Sequence, residues 1–365
     1  MYIRVLELKG LDPARWGEQH GESLRDDVRA LYRIRLDLML HKTDLGSEAS
    51  VLELARHHLP VLEQYDPALY AELCGIARGA ALTAEQVLVV NHYTDLRDLS
   101  QRDLARLRGD PDGCSAMFAV TPAGRVLGQT WDMHGSAEPY AVLLKIPGLA
   151  DGSIVDKASP AGIPEVGSTL VFSIAGCLGM TGMSSWGTAL TINNLNSVDA
   201  GVGVAWPALV RRALRQRSAR AALDTILSAP IGSGRHYIVA DDSDAFGVET
   251  SGKKKKLIWQ GERTPYFHTN HCIDPEMAPT CRILPGSTTL QRYHKLEALV
   301  GQAPANDARS MFEGFLSVVL PHADASPHDV ATCGAVVMDI TGRSVIACQG
   351  APGPDADSTI IELRA

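Results

Sequence analysis

Pro111-Asp112-Gly113-Cys114-Ser115-Ala116-Met117, followed by Gly128-Gln129-Thr130-Trp131-Asp132, is the stretch from which the rest of this 365-residue chain is read. A Pro-Asp-Gly turn opening a β-like run from Met117 to Val120 places the Cys114 thiol at the head of a strand. Gly113 has no side chain to hinder attack on its carbonyl, so the sulfur can reach the preceding carbonyl carbon and form a thioester that water then opens. The chain would thereby cut itself between Gly113 and Cys114. The α-amine so released has a reference pKa of about 7.7 to 8.0, close enough to neutrality to act as general base for its own thiol. On its own, a Gly-Cys after a turn equally describes a small buried thiol starting a core strand.

The company this dipeptide keeps argues for the first reading. After the Gly-Gln-x-Trp-Asp at 128–132 come a small-residue strand ending in Asn193-Asn194 and the run His268-Thr269-Asn270-His271. In this order, and from Arg15-Trp16-Gly17 to the C-terminal strands, the motifs resemble the penicillin acyltransferase-like family of N-terminal nucleophile hydrolases (peptidase family C45). The bile-salt and penicillin V amidases are more distant cousins. The resemblance implies an α+β fold, a four-layer αββα sandwich in which two antiparallel sheets lie face to face between helical layers. It also implies roles: Cys114 as nucleophile and amine base, Asp132 orienting the amine, Asn270 as oxyanion donor, and Asn193, or its neighbour Asn194, as a second one.

The residues themselves leave alternatives beside these roles. Asp132 lies 18 positions after Cys114, so a hairpin would return its carboxylate beside the amine, where it would favour the ammonium form; a simple turn Asp has the same spacing. Asn270 equally suits a loop residue satisfying backbone groups. Asn91-His92-Tyr93-Thr94-Asp95 resembles the family's Asn-x-x-Thr-acid stretch near the scissile loop, and also reads as a polar helix end. Two departures stand out. Gln129 occupies a place where the bile-salt-type relatives carry arginine. Ser326-Pro327-His328-Asp329 precedes Val330-Ala331-Thr332-Cys333 with no arginine where many members have one for a substrate carboxylate or the thiol, and His328 is its nearest substitute.

Composition narrows the classes. With 45% hydrophobic and 21% charged residues, the chain can bury a large core in one big domain or two. Formal net charge is −8, and the part before Cys114 has 14 Lys/Arg against 19 Asp/Glu, so no piece is basic enough to seek nucleic acid or an anionic membrane. Met1 to Leu8 includes Arg4 and Glu7 and has no signal-peptide core, and no apolar run reaches the roughly 18 residues of a spanning helix. Seven irregularly spaced cysteines do not form a disulfide framework, which suits the reducing cytoplasm and keeps Cys114 available. His268, His271 and Cys272 lack a spaced partner pair, so neither zinc nor another cofactor is expected.

Periodicity predicts a strand over Met1–Leu8 and helices over 12–40, 51–62, 67–80 and 83–99, hence a mostly helical segment 1–113. From 114 to 365 short strands take over, at about 114–120, 125–132, 140–146 and 168–174, then 178–183 and 187–194. Pro147 to Gly167, rich in Gly, Pro, Asp and Ser, reads as a surface excursion near the site mouth. A helix pair at 207–216 and 219–227 should carry its arginines on the outer face. Strands follow at 236–240, 245–250, 255–260 and 266–269, with Lys253 to Lys256 as a solvated hairpin end. Helices at 287–300 and 306–319 precede a hairpin of 335–340 with 344–347. Grouped strands and grouped helices fit α+β layers rather than alternating βαβ units.

The expected enzyme is therefore a self-cleaving α/β heterodimer, open to further oligomerisation, that takes a small-molecule acyl amide or acyl thioester. Two other readings stay in view: an uncleaved binding protein, and a Cys/His enzyme using internal Cys114 with His271.

Overall fold

The expected helix over 12–40 is two helices, because Leu24, at φ −122° and ψ 28°, leaves helical geometry in its middle. The computed structural model describes residues 2–100, 113–148, 167–261, 265–321 and 329–363. The Pro111-Asp112 turn, most of the 147–167 stretch and His328 lie outside the described residues. Strand β1 (Arg4–Glu7) leads into α1 (Pro13–Ser23) and α2 (Arg25–Lys42). The helix expected over 51–62 also divides, into α3 (Glu48–Arg56) and α4 (Leu59–Tyr65), with Pro60 in the first turn of the second. Helices α5 (Pro67–Ala80) and α6 (Ala84–Ser100) follow; Asp66 caps α5 by accepting the Leu69 N–H at 3.0 Å. Helices α1 and α5 cross at backbone contact: a Cβ on Gly17 would lie 1.9 Å from the Glu72 carbonyl oxygen, and one on Gly75 would lie 2.2 Å from that of Ala14.

Past Gly113 the chain runs through β2 (Gly113–Thr121), β3 (Gly124–His134), β4 (Ala141–Gly148), β5 (Gly167–Ile174), β6 (Thr181–Ser184) and β7 (Ala189–Ser197). Helices α7 (Trp206–Leu214) and α8 (Ala219–Ser228) lead to β8 (Gly234–Ala240), β9 (Ala245–Thr250), β10 (Lys255–Gln260), β11 (Tyr266–His268) and β12 (Cys281–Arg282). The chain closes with α9 (Thr289–Gln302), α10 (Ala308–Gly314), β13 (Val330–Asp339), β14 (Ser344–Gln349) and β15 (Thr359–Glu362). A nine-stranded sheet runs β1-β4-β5-β6-β7-β8-β9-β10, with β12 paired to β7, and a six-stranded sheet runs β11-β2-β3-β13-β14-β15. Strand β1, from the helical segment, joins β4 in parallel, whereas the other pairings are antiparallel.

The sheets meet face to face. Trp131 of β3 lies edge-on to Phe172 of β5 at 6.0 Å, and Phe118 of β2 meets Trp259 of β10 at 5.9 Å. Helices α6, α7 and α8 cover the outer face of the larger sheet, while α9 and α10 cover that of the smaller one, completing the four αββα layers expected. Strand alternation splits β2 between two cores: Met117 and Ala119 pack with Leu296, Met311 and Phe312 under the helices, whereas Cys114, Ala116 and Phe118 belong to the inter-sheet core. The nucleophile candidate is thereby aimed between the sheets.

A further expectation is overturned. Arg211 of α7 is not on an outer face; it is buried and makes two bonds, 2.8 and 3.0 Å, to the Glu72 carboxylate of α5. A buried guanidinium needs such a partner, and Glu72, itself fully buried, supplies it. All seven cysteines are free thiols. No single described helix is long and apolar enough to cross a membrane.

Candidate active site

The hairpin formed by β2 and β3 sets Gly113 opposite Asp132 and Cys114 opposite Trp131. A Cβ on Gly113 would fall 2.7 Å from both Cβ and Oδ2 of Asp132, so only glycine lets the carboxyl stand this close to the Gly113–Cys114 bond. Asp132 is fully buried. Its Oδ1 accepts from the Thr332 hydroxyl at 2.7 Å, and its Oδ2 has no hydrogen-bond partner among the described residues. Burial pushes this carboxyl up from its ordinary range, with Arg292 and the hydroxyl contacts pulling the other way.

Both polar backbone atoms of Cys114 are held by buried side chains from other elements. Its N–H donates to Asn270 Oδ1 at 2.8 Å. Its carbonyl oxygen accepts from Asn193 Nδ2 at 3.0 Å and from Arg292 Nη1 at 2.8 Å. The Asn270 amide nitrogen donates to the Asn194 carbonyl at 3.0 Å, and that of Asn193 reaches the His268 carbonyl as well, at 3.3 Å. The structure thus brings Cys114, Asp132, Asn270 and Asn193 into one site, with the Asn270 oxygen rather than its nitrogen on the Cys114 backbone.

A stack of imidazoles lies behind the asparagines. The His236 and His268 rings are 3.6 Å apart and nearly parallel, at 8°. Asn193 Oδ1 can only accept, so His236 Nδ1 donates to it at 3.0 Å and leaves Nε2 to accept from the Tyr266 hydroxyl at 3.0 Å. This bond fixes which way the Asn193 amide faces. Burial, then the neighbouring His268, pushes His236 well below the ordinary histidine range, so its ring stays neutral. Glu249 pins the loop that carries Asn270: it accepts from His268 Nε2 at 2.9 Å and from the Ile273 N–H at 2.6 Å. The Asn270 N–H itself donates to the Thr289 hydroxyl at 2.7 Å.

The other singled-out residues have different work. His271 sets Nδ1 against the Thr269 and Thr289 hydroxyls, at 3.2 and 3.1 Å, and burial lowers it to about 4. Among the described residues no group of three His, Cys, Asp or Glu side chains is arranged to hold a metal ion. Gln129 ties the sheets together, its Oε1 accepting the Ile192 N–H of β7 at 2.8 Å. The Asn91–Asp95 run is no polar helix end: all five residues are buried, Asn91 bonds Gly176 and Leu178, and Thr94 and Asp95 bind Arg235 of β8. Of the Lys253–Lys256 run, Lys253 and Lys254 are exposed, whereas Lys255 caps α8 through the Leu227 carbonyl at 2.8 Å.

Arg292, Glu249, His236 and Tyr266 were not found from the sequence. For Arg292 a signal existed: it lies on the buried stripe of α9 with Thr289 and Leu296, where an apolar residue is the norm.

Residues 120–353 match the family described as acyl-coenzyme A:6-aminopenicillanic acid acyl-transferase. The chain belongs to this acyl-transferase family. The matched span starts just after Cys114 and includes Asp132, Asn193 and Asn270. Over 290 residues the chain is 24% identical to the 40 kDa form of the acyl-coenzyme A:6-aminopenicillanic-acid-acyltransferase of Emericella nidulans, covering 79% of this chain and 75% of the relative. Similar solved structures include a variant of the conjugated bile acid hydrolase of Clostridium perfringens, with 12% identity, a TM-score of 0.46, and 68% of this chain and 92% of that one covered. Another is the penicillin V acylase of Agrobacterium tumefaciens, with 12% identity, a TM-score of 0.41, and 68% and 86% covered.

Proposed function

We propose that this acyl-transferase family member is an autoproteolytic enzyme with an N-terminal cysteine nucleophile, acting on amide bonds through an acyl-thioester at Cys114. The observation that carries this reading is that one residue, Cys114, has its backbone N–H and carbonyl gripped by Asn270, Asn193 and Arg292, while Asp132 faces the glycine before it. A residue that merely started a core strand would ordinarily satisfy these two groups through a neighbouring strand's backbone, whereas here three buried polar side chains from other elements do so.

In maturation, the Cys114 sulfur attacks the Gly113 carbonyl carbon, the Gly113–Cys114 C–N bond breaks, and a thioester forms. Water then hydrolyses the thioester, leaving a carboxylate on Gly113 and a free thiol and amine on Cys114. That amine keeps its bond to Asn270 Oδ1 and gains Asp132 as counter-charge on the side Gly113 vacates. In turnover the amine takes the thiol proton as sulfur attacks the acyl carbonyl, then returns it to the leaving group. Asn270 Nδ2, with one hydrogen on Asn194 and one uncommitted, donates to the oxyanion; Asn193 joins by exchanging its 3.3 Å bond to His268. Water as acceptor gives an amidohydrolase and an amine gives an acyltransferase, from the same acyl-enzyme. The substrate is a small acyl amide or acyl thioester, and no cofactor enters.

Segment 1–113 stays bound after the cut, as the α chain of a heterodimer with 114–365. It supplies β1 to the larger sheet, and its Glu72 and Asp95 pair with Arg211 and Arg235 beyond the cut. Intact-mass analysis of purified protein tests the reading: fragments 1–113 and 114–365 are expected, with Cys114→Ala uncut and inactive. A working enzyme made of unbroken chain would overturn it in favour of a Cys/His mechanism, and an uncut, inert protein would point to binding alone.

A further inference from the structure

We infer that His236 is a positioning residue for the oxyanion site: its bond to the Asn193 oxygen keeps the Asn193 nitrogen aimed at Cys114 while that nitrogen changes partners during acyl transfer. The inference rests on the reading of Cys114 as nucleophile and of Asn193 as an oxyanion donor. Strand register sets Asn193 of β7 opposite His236 of β8, and His236 opposite Glu249 of β9. All three side chains are fully buried. A row of three polar side chains across adjacent strands is costly for a sheet that only has to pack, and each member must be matched by a partner. Here the partners lead to the site. Asn193 reaches the Cys114 carbonyl, and Glu249 reaches the loop that carries Asn270 through the Ile273 N–H.

Hydrogen-bond chemistry fixes the direction of every link. Asn193 Nδ2 donates to the Cys114 carbonyl at 3.0 Å and to the His268 carbonyl at 3.3 Å, which leaves Oδ1 to face His236 Nδ1 at 3.0 Å. The proton of the His236 ring therefore sits on Nδ1, and Nε2 accepts from the Tyr266 hydroxyl at 3.0 Å. The plane of the ring is fixed too, because it stacks on His268 at 3.6 Å and His268 is bonded to Glu249 at 2.9 Å. In turnover Asn193 gives up its longer bond, the one to His268, to meet the oxyanion. The His236 bond is made to the amide oxygen and takes no part in that exchange. It holds the plane of the amide while the nitrogen on the other side moves between acceptors.

The test compares two reactions of the Cys114 thiol in the full chain. Acylation by p-nitrophenyl acetate passes through a tetrahedral oxyanion, and is read as p-nitrophenolate release beyond that of Cys114→Ala. Alkylation by iodoacetamide displaces iodide without forming an oxyanion, and is read by mass spectrometry of the Cys114 peptide. His236→Leu and His236→Phe bracket the ring in size and remove its donor. Acylation is expected to fall about 10- to 100-fold in them, somewhat less than for a deleted oxyanion donor, with alkylation within about threefold of the wild type. In an Asn193→Ala background the same changes should slow acylation no further, because the residue they act through is gone. Unchanged acylation overturns the inference, and so do acylation and alkylation that fall together, as general damage to the site would make them, or losses that add to that of Asn193→Ala. A wild type that is alkylated but not acylated sinks the reading of Cys114 as acyl acceptor, and this inference with it; a wild type and His236 variants acylated alike sink this inference alone.

Discussion

Replacing Gly113 by alanine should slow self-cleavage without altering the enzyme that cleavage produces. The new Cβ would sit 2.7 Å from Cβ and Oδ2 of Asp132 and 3.0 Å from Leu320 Cδ1, so the Asp132 contact must open by about 0.7 Å to reach ordinary van der Waals distance. Asp132 is fully buried in β3 and bonded to Thr332 of β13, which leaves the clash little room to relax. Overpacking of this kind costs about 1–3 kcal/mol. The strain grows along the reaction, because sulfur attack makes the neighbouring Gly113 carbonyl carbon tetrahedral and bulkier. The cleavage barrier therefore rises by a similar amount, a slowing of roughly 5- to 150-fold. Once the bond is cut, residue 113 leaves the site and fragment 114–365 has its native sequence. Following fragment appearance by intact mass after synthesis, alongside amide turnover per cleaved chain, checks both halves. Cleavage of Gly113→Ala at the wild-type rate would refute the argued proximity to Asp132, and altered turnover in the cleaved variant would refute the division of labour.

Asp132 should also leave a pH signature in the uncut Cys114→Ala chain. Its raised carboxyl means that the folded state retains a proton the unfolded chain releases above about pH 4. Stability from this group is thus full below that pH and lost as pH rises through the raised value; urea midpoints of Cys114→Ala should fall relative to Cys114→Ala/Asp132→Asn between pH 4 and 7.5, and a flat or opposite trend would contradict the burial argument. Glu72→Gln strands the Arg211 charge across the α5–α7 contact, a loss of about 3–5 kcal/mol, so fragment 1–113 should separate from 114–365 at a markedly lower urea concentration on size exclusion. Asn270→Ala removes the proposed oxyanion donor and the acceptor for the Cys114 nitrogen; kcat should fall about 10²- to 10³-fold, and a loss under about tenfold would dismiss that role.

Much of the fold was legible because its signals are local. The strands predicted at 114–120, 125–132, 140–146 and 168–174 all exist, since alternating or continuous apolar runs between Gly- and Pro-rich turns have no better use. The two divided helices escaped for an equally local reason: Leu24 continues an apolar pattern while its backbone leaves the helix, and His57 and His58 keep near-helical angles, so no change of pattern marks the break ahead of Pro60. Two-residue β12 and the four-residue edge strand β15 were not predicted, being too short for any period to show. The parallel docking of β1 on β4 lay beyond sequence reading, because it joins residues 4–7 to residues 142–145 and no local pattern records that pairing.

The site divides along a similar line. Cys114, Asp132, Asn193 and Asn270 stand in short runs whose order is recognisable, and the fold bonds both asparagines to Cys114 and sets Asp132 opposite Gly113. The residues that hold them have no such runs. Glu249 and His236 sit opposite each other on adjacent strands, and each acts only through a loop or side chain distant in sequence. Arg292 is the instructive case, because the chain contains no arginine between Arg309 and Arg343, where the resemblance led one to look for a cation near the thiol. Helix α9 instead brings an arginine to the Cys114 carbonyl and Ser115, on the position its own amphipathic pattern would assign to a hydrocarbon. Burying a full charge there is unfavourable for a helix that only covers a sheet. The cost is offset by the bonds that fix the guanidinium on Thr288, the Cys114 carbonyl, Ser115 and Asn270, so a misplaced cation on an apolar stripe is the sequence feature by which such a positioning residue can be sought.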